Sequence, residues 1–147
     1  MITVQELMSD TLHTLSTHDT IHTARELMLE KRIRHVPIVD NRGNLVGLLT
    51  KHDVLAVSIS TLAEVENTVR DELEEGIPIG EVMITDLMVG YPTTSLREAA
   101  QFMLEQKHGC LPILSTDQKL VGILTEADFV KLALHLIERL ESVVEKV

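Results

Sequence analysis

The chain has 147 residues, 44% of them apolar, which is enough for a buried core, and its formal net charge is −10. That acidity repels a phosphate backbone, and with no Trp, one Tyr and two Phe there is little for bases to stack on, which argues against nucleic-acid binding as a main role. One cysteine, Cys110, allows no internal disulfide, and no run approaches the roughly 20 apolar residues of a membrane span, so a soluble, unexported protein of a reducing cytoplasm is expected.

The opening MITVQELMSD has neither a basic nor a sustained apolar signal region. After this lead-in, Ala24, Leu27 and Met28 follow a Thr/Ser-rich start at helical spacing and predict a helix. The run VPIVD, residues 36 to 40, is short, apolar and β-branched; the turn DNRGN and the run LVGLLT follow it, and together they predict two neighbouring strands. Thr50 then opens a second helix. Val54 to Glu75, with Leu55, Leu62, Val65 and Val69 apolar, reads as one long helix that Gly76 and Pro78 stop.

At this point the sequence starts again. Shifted by 75 residues, the first half lies on the second without a gap, pairing Met8 with Met83, Ala24 with Ala99, Met28 with Met103, Pro37 with Pro112, Gly47 with Gly122, Thr50 with Thr125 and Asp53 with Asp128. The second copy therefore predicts a helix around Ala99 and Met103, strands at LPILS (111 to 115) and LVGILT, and a helix opened by Thr125. In the C-terminal segment Ala133, Leu136, Leu140, Val143 and Val147 alternate steps of three and four, which suits either a helix packed on its own domain or a dimer seam.

These elements give an α/β (α+β) fold of two pseudo-symmetric repeats, each strand-helix-strand-strand-helix. A unit of about 55 residues is too small to bury its apolar faces comfortably alone, so the copies are expected to pack as one module. The boundaries read as repeat 1 at 1–57, a helical linker at 58–75, repeat 2 at 76–134 and a C-terminal helix extension at 135–147.

Both copies carry Thr-x-x-Asp, in GLLTKHD (47 to 53) and GILTEAD (122 to 128). A Thr at a helix start with an acidic residue three positions on is a capping box, which explains the spacing without any ligand. The glycine three positions before each Thr permits a close backbone approach, and a helix N-terminus, a hydroxyl and a carboxylate together suit a ribose and a phosphate. The histidines at 13, 18, 22, 35, 52, 108 and 135 form no metal-ligand spacing with Cys or carboxylates, and His18 and His22 read as surface polarity at a helix start. Cys110, inside an apolar run, reads as a small buried side chain, and the methionines Met28 and Met103 read as core. No Ser-His-Asp order, Walker loop or GxGxxG occurs, so no catalytic residue, no metal and no required cofactor is predicted.

The duplicated VPIVD…LVGLLTKHD and LPILS…LVGILTEAD resemble the cystathionine-β-synthase (CBS) domain as a tandem pair, the Bateman module. GCLPI and ADFVKLALHLIE also resemble bacterial acetoin-utilisation-type stand-alone CBS proteins. The resemblance implies a non-enzymatic regulator, a homodimer, that binds AMP, ADP, ATP or S-adenosylmethionine in clefts between the repeats and signals to a regulated protein it does not identify. It implies that Asp53 and Asp128 hold ribose hydroxyls and that Thr50 and Thr125 contact ribose or phosphate. It further implies one cleft combining Thr125 and Asp128 with Arg34, His35 and Val36, and another combining Thr50 and Asp53 with Gly109, Cys110 and Leu111. Because Arg34 and His35 can neutralise phosphate, the Asp128 cleft is expected to be the better nucleotide site. Two readings of other classes stand beside this one: an interaction module in which the motif is only a cap, and an acetoin-pathway accessory enzyme.

Overall fold

The computed structural model of the chain describes residues 1–62, 67–107 and 109–145. They fall into two compact units. The first unit holds Leu12–Met88 with Thr116–Leu120; the second holds Met1–Thr11, Val89–Ser115 and Val121–Val147.

In the first unit, helix α1 (Ile21–Lys31) starts at Thr20, whose hydroxyl accepts from Thr23 N at 3.3 Å. Strands β1 (His35–Val39) and β2 (Leu45–Thr50) pair antiparallel, with His35 opposite Thr50, Val36 opposite Leu49 and Ile38 opposite Gly47. Their turn is held by Asp40, whose carboxylate accepts from Arg42 N and Asn44 N at 2.9 Å each and from Asn44 Nδ2 at 3.1 Å. The bonds from Asn44 hold the Asp40 carboxyl below its ordinary range. Helices α2 (Lys51–Leu62) and α3 (Asn67–Glu75) follow. The long helix expected over Val54–Glu75 is helical on both sides of residues 63–66, which lie outside the described residues together with Val65. Of its expected apolar face, Leu55 and Val69 are exposed. The core joins Ile21, Ala24 and Met28 of α1 to Val36, Ile38, Leu49, Val54 and Ile79, as the spacing in α1 and the apolar runs foretold.

The second unit repeats this plan with α4 (Leu96–Glu105), β3 (Cys110–Leu114), β4 (Leu120–Thr125) and α5 (Glu126–Glu145). Ser95 caps α4 by accepting from Glu98 N at 3.1 Å. Its core joins Val4 to Leu96, Ala99, Met103, Leu111, Ile113 and Leu124.

The lead-in segments take a form that the sequence did not announce. Rather than full strands, they are single bridged residues beside a 3-10 turn, Val4–Glu6 in one case and Ile79–Glu81 in the other. Each also serves the other repeat's sheet. Ser9 bridges Ile123, and Ile84 bridges Leu48 through N–H···O bonds of 2.9 and 2.8 Å. The motif glycines make room for this. A Cβ on Gly47 would lie 2.4 Å from Met83 Sδ and 3.2 Å from Ile84 O; one on Gly122 would lie 2.6 Å from Met8 Sδ and 3.1 Å from Ser9 O. The close approach that these glycines permit is thus an approach of protein backbone and methionine.

Helix α3 is tied to α1 by charge. Arg25 pairs with Asp71 and, through Nε at 2.9 Å, with Glu74, whose side chain is 1% exposed. At the other end of the chain α5 has no buried residue, and only Phe129 and Leu132 pack partly against the core. Leu136, Leu140 and Val143 of the expected apolar stripe are exposed, while Val147 lies outside the described residues. No described helix is long and apolar enough to cross a membrane.

Candidate functional site

Each Thr-x-x-Asp sits where a strand ends and a helix begins. In the first unit Thr50 closes β2, and Asp53 Oδ2 accepts from Thr50 N at 3.1 Å and from its hydroxyl at 2.7 Å, while Asp53 N donates to Thr50 Oγ1 at 3.2 Å. This is a closed capping box, as the spacing predicted. In the second unit Asp128 Oδ2 accepts from Thr125 N at 2.9 Å and from its hydroxyl at 3.4 Å. Both carboxylates are half-buried, and both use the same oxygen for the cap.

The residues just before β1 and β3 lie against these junctions. Lys51 N donates to Arg34 O at 2.8 Å, and Glu126 N donates to Gly109 O at 3.2 Å, so the two repeats close the junction with equivalent bonds. His35, paired with Thr50 across the ladder, shares its face of the sheet. Arg34 is exposed and His35 half-buried, whereas Val36 and Leu111 are core residues that can offer a ligand only their backbone. Gly109 is buried with φ +67°, and a Cβ there would meet the Glu126 carboxylate at 3.1 Å. Burial, and after it the nearby Asp128 charge, push the Cys110 thiol far above its ordinary range, so it is an inert neutral group beside the second carboxylate.

The surroundings of the two pairs therefore differ in sign. Around Thr50 and Asp53 stand Arg34, His35, Lys51 and His52; around Thr125 and Asp128 stand Gly109, Cys110, Glu126 and Ala127. Backbone bonds tie Arg34 and His35 to the clamp of their own repeat. The resemblance had assigned them to the opposite one.

One residue read from the sequence as surface polarity is not: the His22 side chain is only 15% exposed, because α3 packs over it. His22 on α1 faces Asp71 and Glu74 of α3, with Glu26 and Glu75 at its outer nitrogen. The available signal was a pair of helical spacings, His22 with Arg25 and Asp71 with Glu74, but Arg25 is 46 and 49 residues from the two acids and nothing local links the pairs. His108 lies outside the described residues.

The CBS domain family matches the chain twice, over residues 4–60 and 79–135. The chain is a CBS-domain protein. A structure from Vibrio cholerae described as an acetoin utilization protein (AcuB) is similar over 97% of both chains, at 38% identity and a TM-score of 0.79. CBSX2, solved in complex with AMP, is similar at 30% identity and a TM-score of 0.76 over 92% of this chain and 98% of that one. The chloroplastic CBSX1 of Arabidopsis thaliana is 33% identical over 91% of this chain, which spans 65% of that protein's own length. This CBS pair and its relatives thus share the two-repeat mixed α/β fold.

Proposed function

We propose that this CBS pair is a non-catalytic regulator that binds an adenosine-containing ligand, AMP, ADP, ATP or S-adenosylmethionine, at the Thr–Asp junctions of its repeats. Occupancy favours one arrangement of the surrounding helices and so alters a surface offered to a regulated protein. The observation that carries this reading is the doubled Thr–Asp clamp at equivalent strand-to-helix junctions, in a chain 30% identical to CBSX2, whose structure holds AMP. Asp53 and Asp128 accept from the ribose hydroxyls, Thr50 and Thr125 contact ribose or phosphate, and the backbone at Val36 and Leu111 lies against the base.

The charge around each clamp sets the preference. With Arg34, His35 and Lys51 beside it, the Asp53 site takes the phosphate-bearing ligand; with Gly109, Cys110 and Glu126 beside it, the Asp128 site favours an adenosine without phosphate. This ordering rests on the neighbours within each repeat; the cross-repeat pairing, with Arg34 and His35 serving Asp128 as the better nucleotide site, is the alternative to it. The exposed apolar face of α5 supports a homodimer. The 38% identity with the Vibrio cholerae protein makes acetoin utilisation the first pathway in which to seek the regulated partner.

A thermal-shift panel with AMP, ADP, ATP, S-adenosylmethionine and NAD tests the reading, since a ligand at 100 times its Kd stabilises by about 2.7 kcal/mol. No shift with any of them would sink it. A double-mutant cycle tests the site order: Arg34→Ala should couple to Asp53→Asn in AMP binding and be additive with Asp128→Asn. Coupling to Asp128 instead would restore the cross-repeat pairing. The closed Thr50–Asp53 box favours a second reading, a purely structural cap. For that reading Asp53→Asn lowers the melting temperature and leaves every ligand response intact.

A further inference from the structure

Beside α1 the first unit carries a histidine nitrogen in an unusual electrostatic position. His22 Nε2 lies 3.1 Å from Glu26 Oε1, four residues on in the same helix, so a proton on the outer nitrogen would face that carboxylate and Nδ1 would be the nitrogen left to accept a ligand. Nδ1 is fully buried and has no hydrogen-bond partner. It faces two carboxylate oxygens of α3, Asp71 Oδ1 and Glu74 Oε2, each at 3.7 Å. That gap is too long for a hydrogen bond, so a buried ring nitrogen faces two carboxylate oxygens with nothing between them.

We propose that His22, Asp71 and Glu74 form a binding site for a divalent transition-metal ion that pins α3 to α1. The three donor atoms lie within 4.8 Å of one another. With metal–ligand bonds of about 2.1 Å, two donors 3.7 Å apart subtend roughly 120° at the ion, a normal angle for a zinc-like centre. The chemistry of the set, one imidazole nitrogen with two carboxylates, selects Zn²⁺, Mn²⁺ or Co²⁺ over Mg²⁺ and Ca²⁺, which prefer oxygen alone. Arg25 donates to the same two oxygens, Asp71 Oδ1 and Glu74 Oε2, each of which has a second lone pair to offer an ion. Its single positive charge faces Asp71 and Glu74, with Glu26 and Glu75 close by, so the cluster keeps room for a divalent cation.

The competing occupant is a proton on Nδ1. Calorimetric titration of the full chain with Zn²⁺, Mn²⁺ and Mg²⁺ at pH 8, where a free imidazole is mostly neutral, separates the two. The site predicts one equivalent of Zn²⁺ bound, weaker Mn²⁺, no Mg²⁺, and a loss of at least about tenfold in Zn²⁺ affinity in His22→Gln and in Asp71→Asn. The melting temperature of metal-free His22→Gln should stay close to that of the parent, and Zn²⁺ should raise it only in the parent. Absence of the one-equivalent event, or an unchanged affinity in both variants, would overturn the site and leave His22 to a proton.

Discussion

Gln118 stands where the first repeat has Gly43, and both residues lie in the left-handed region, at φ +67° and +83°. A side chain there costs about 1 kcal/mol or more, which glycine avoids, while glycine also loosens the unfolded chain. Gln118→Gly should therefore raise the stability by roughly 0.5–1 kcal/mol in urea denaturation, the first repeat having already made that choice. Cys110 sets a second expectation. Unfolded, its thiol ionises near its ordinary value of 9.0; folded, burial holds the proton far beyond that. The stability this neutral thiol contributes is intact below about pH 9 and falls above it, by about 1.4 kcal/mol per pH unit at most. Cys110→Ala should remove that part of the alkaline slope between pH 9 and 11, and an identical slope would mean that the thiol is not held neutral.

At the scale of elements, helix starts were the most legible feature, because a cap is a local contract between residues three apart, as at Ser95 and Glu98 or Thr50 and Asp53. What approaches the motif glycine was not legible for the same reason. Its neighbours, Met83 for Gly47 and Met8 for Gly122, come from distant segments, and spacing within the motif carries no trace of them. Helix α5 shows the reverse case, a pattern left exposed among the described residues. Ala133, Leu136, Leu140 and Val143 alternate steps of three and four, and the three large ones are at least half exposed. If a second copy covers this seam, Leu140→Lys should halve the sedimenting mass yet keep the circular dichroism of the fold, since the side chain is 66% exposed within the chain and a surface change costs under about 0.5 kcal/mol. An unchanged mass would remove α5 from the dimer interface.

For the whole molecule, the repeat revealed the fold but concealed how its ends are shared. Because Met8 and Met83 occupy the same place in the two copies, a pattern in which each lead-in packs on its own repeat is indistinguishable in sequence from one in which they change places. The structure has the exchange, so a compact unit runs through Leu12–Met88 and is not completed at the linker. A fragment of residues 12–88 should show a cooperative urea transition by circular dichroism, whereas residues 1–75, which lack Met83 and Ile84, should not; equal transitions in both would show that the exchanged segment adds nothing to folding. The exchange also bears on how such a pair arises. A chain with one copy could finish its sheet this way only by borrowing the first residues of a second molecule, at an equilibrium set by concentration. Tandem duplication places donor and acceptor on one polymer, where a linker of some twenty residues holds them at millimolar effective concentration, and a dilution-sensitive association becomes a built-in property of the monomer.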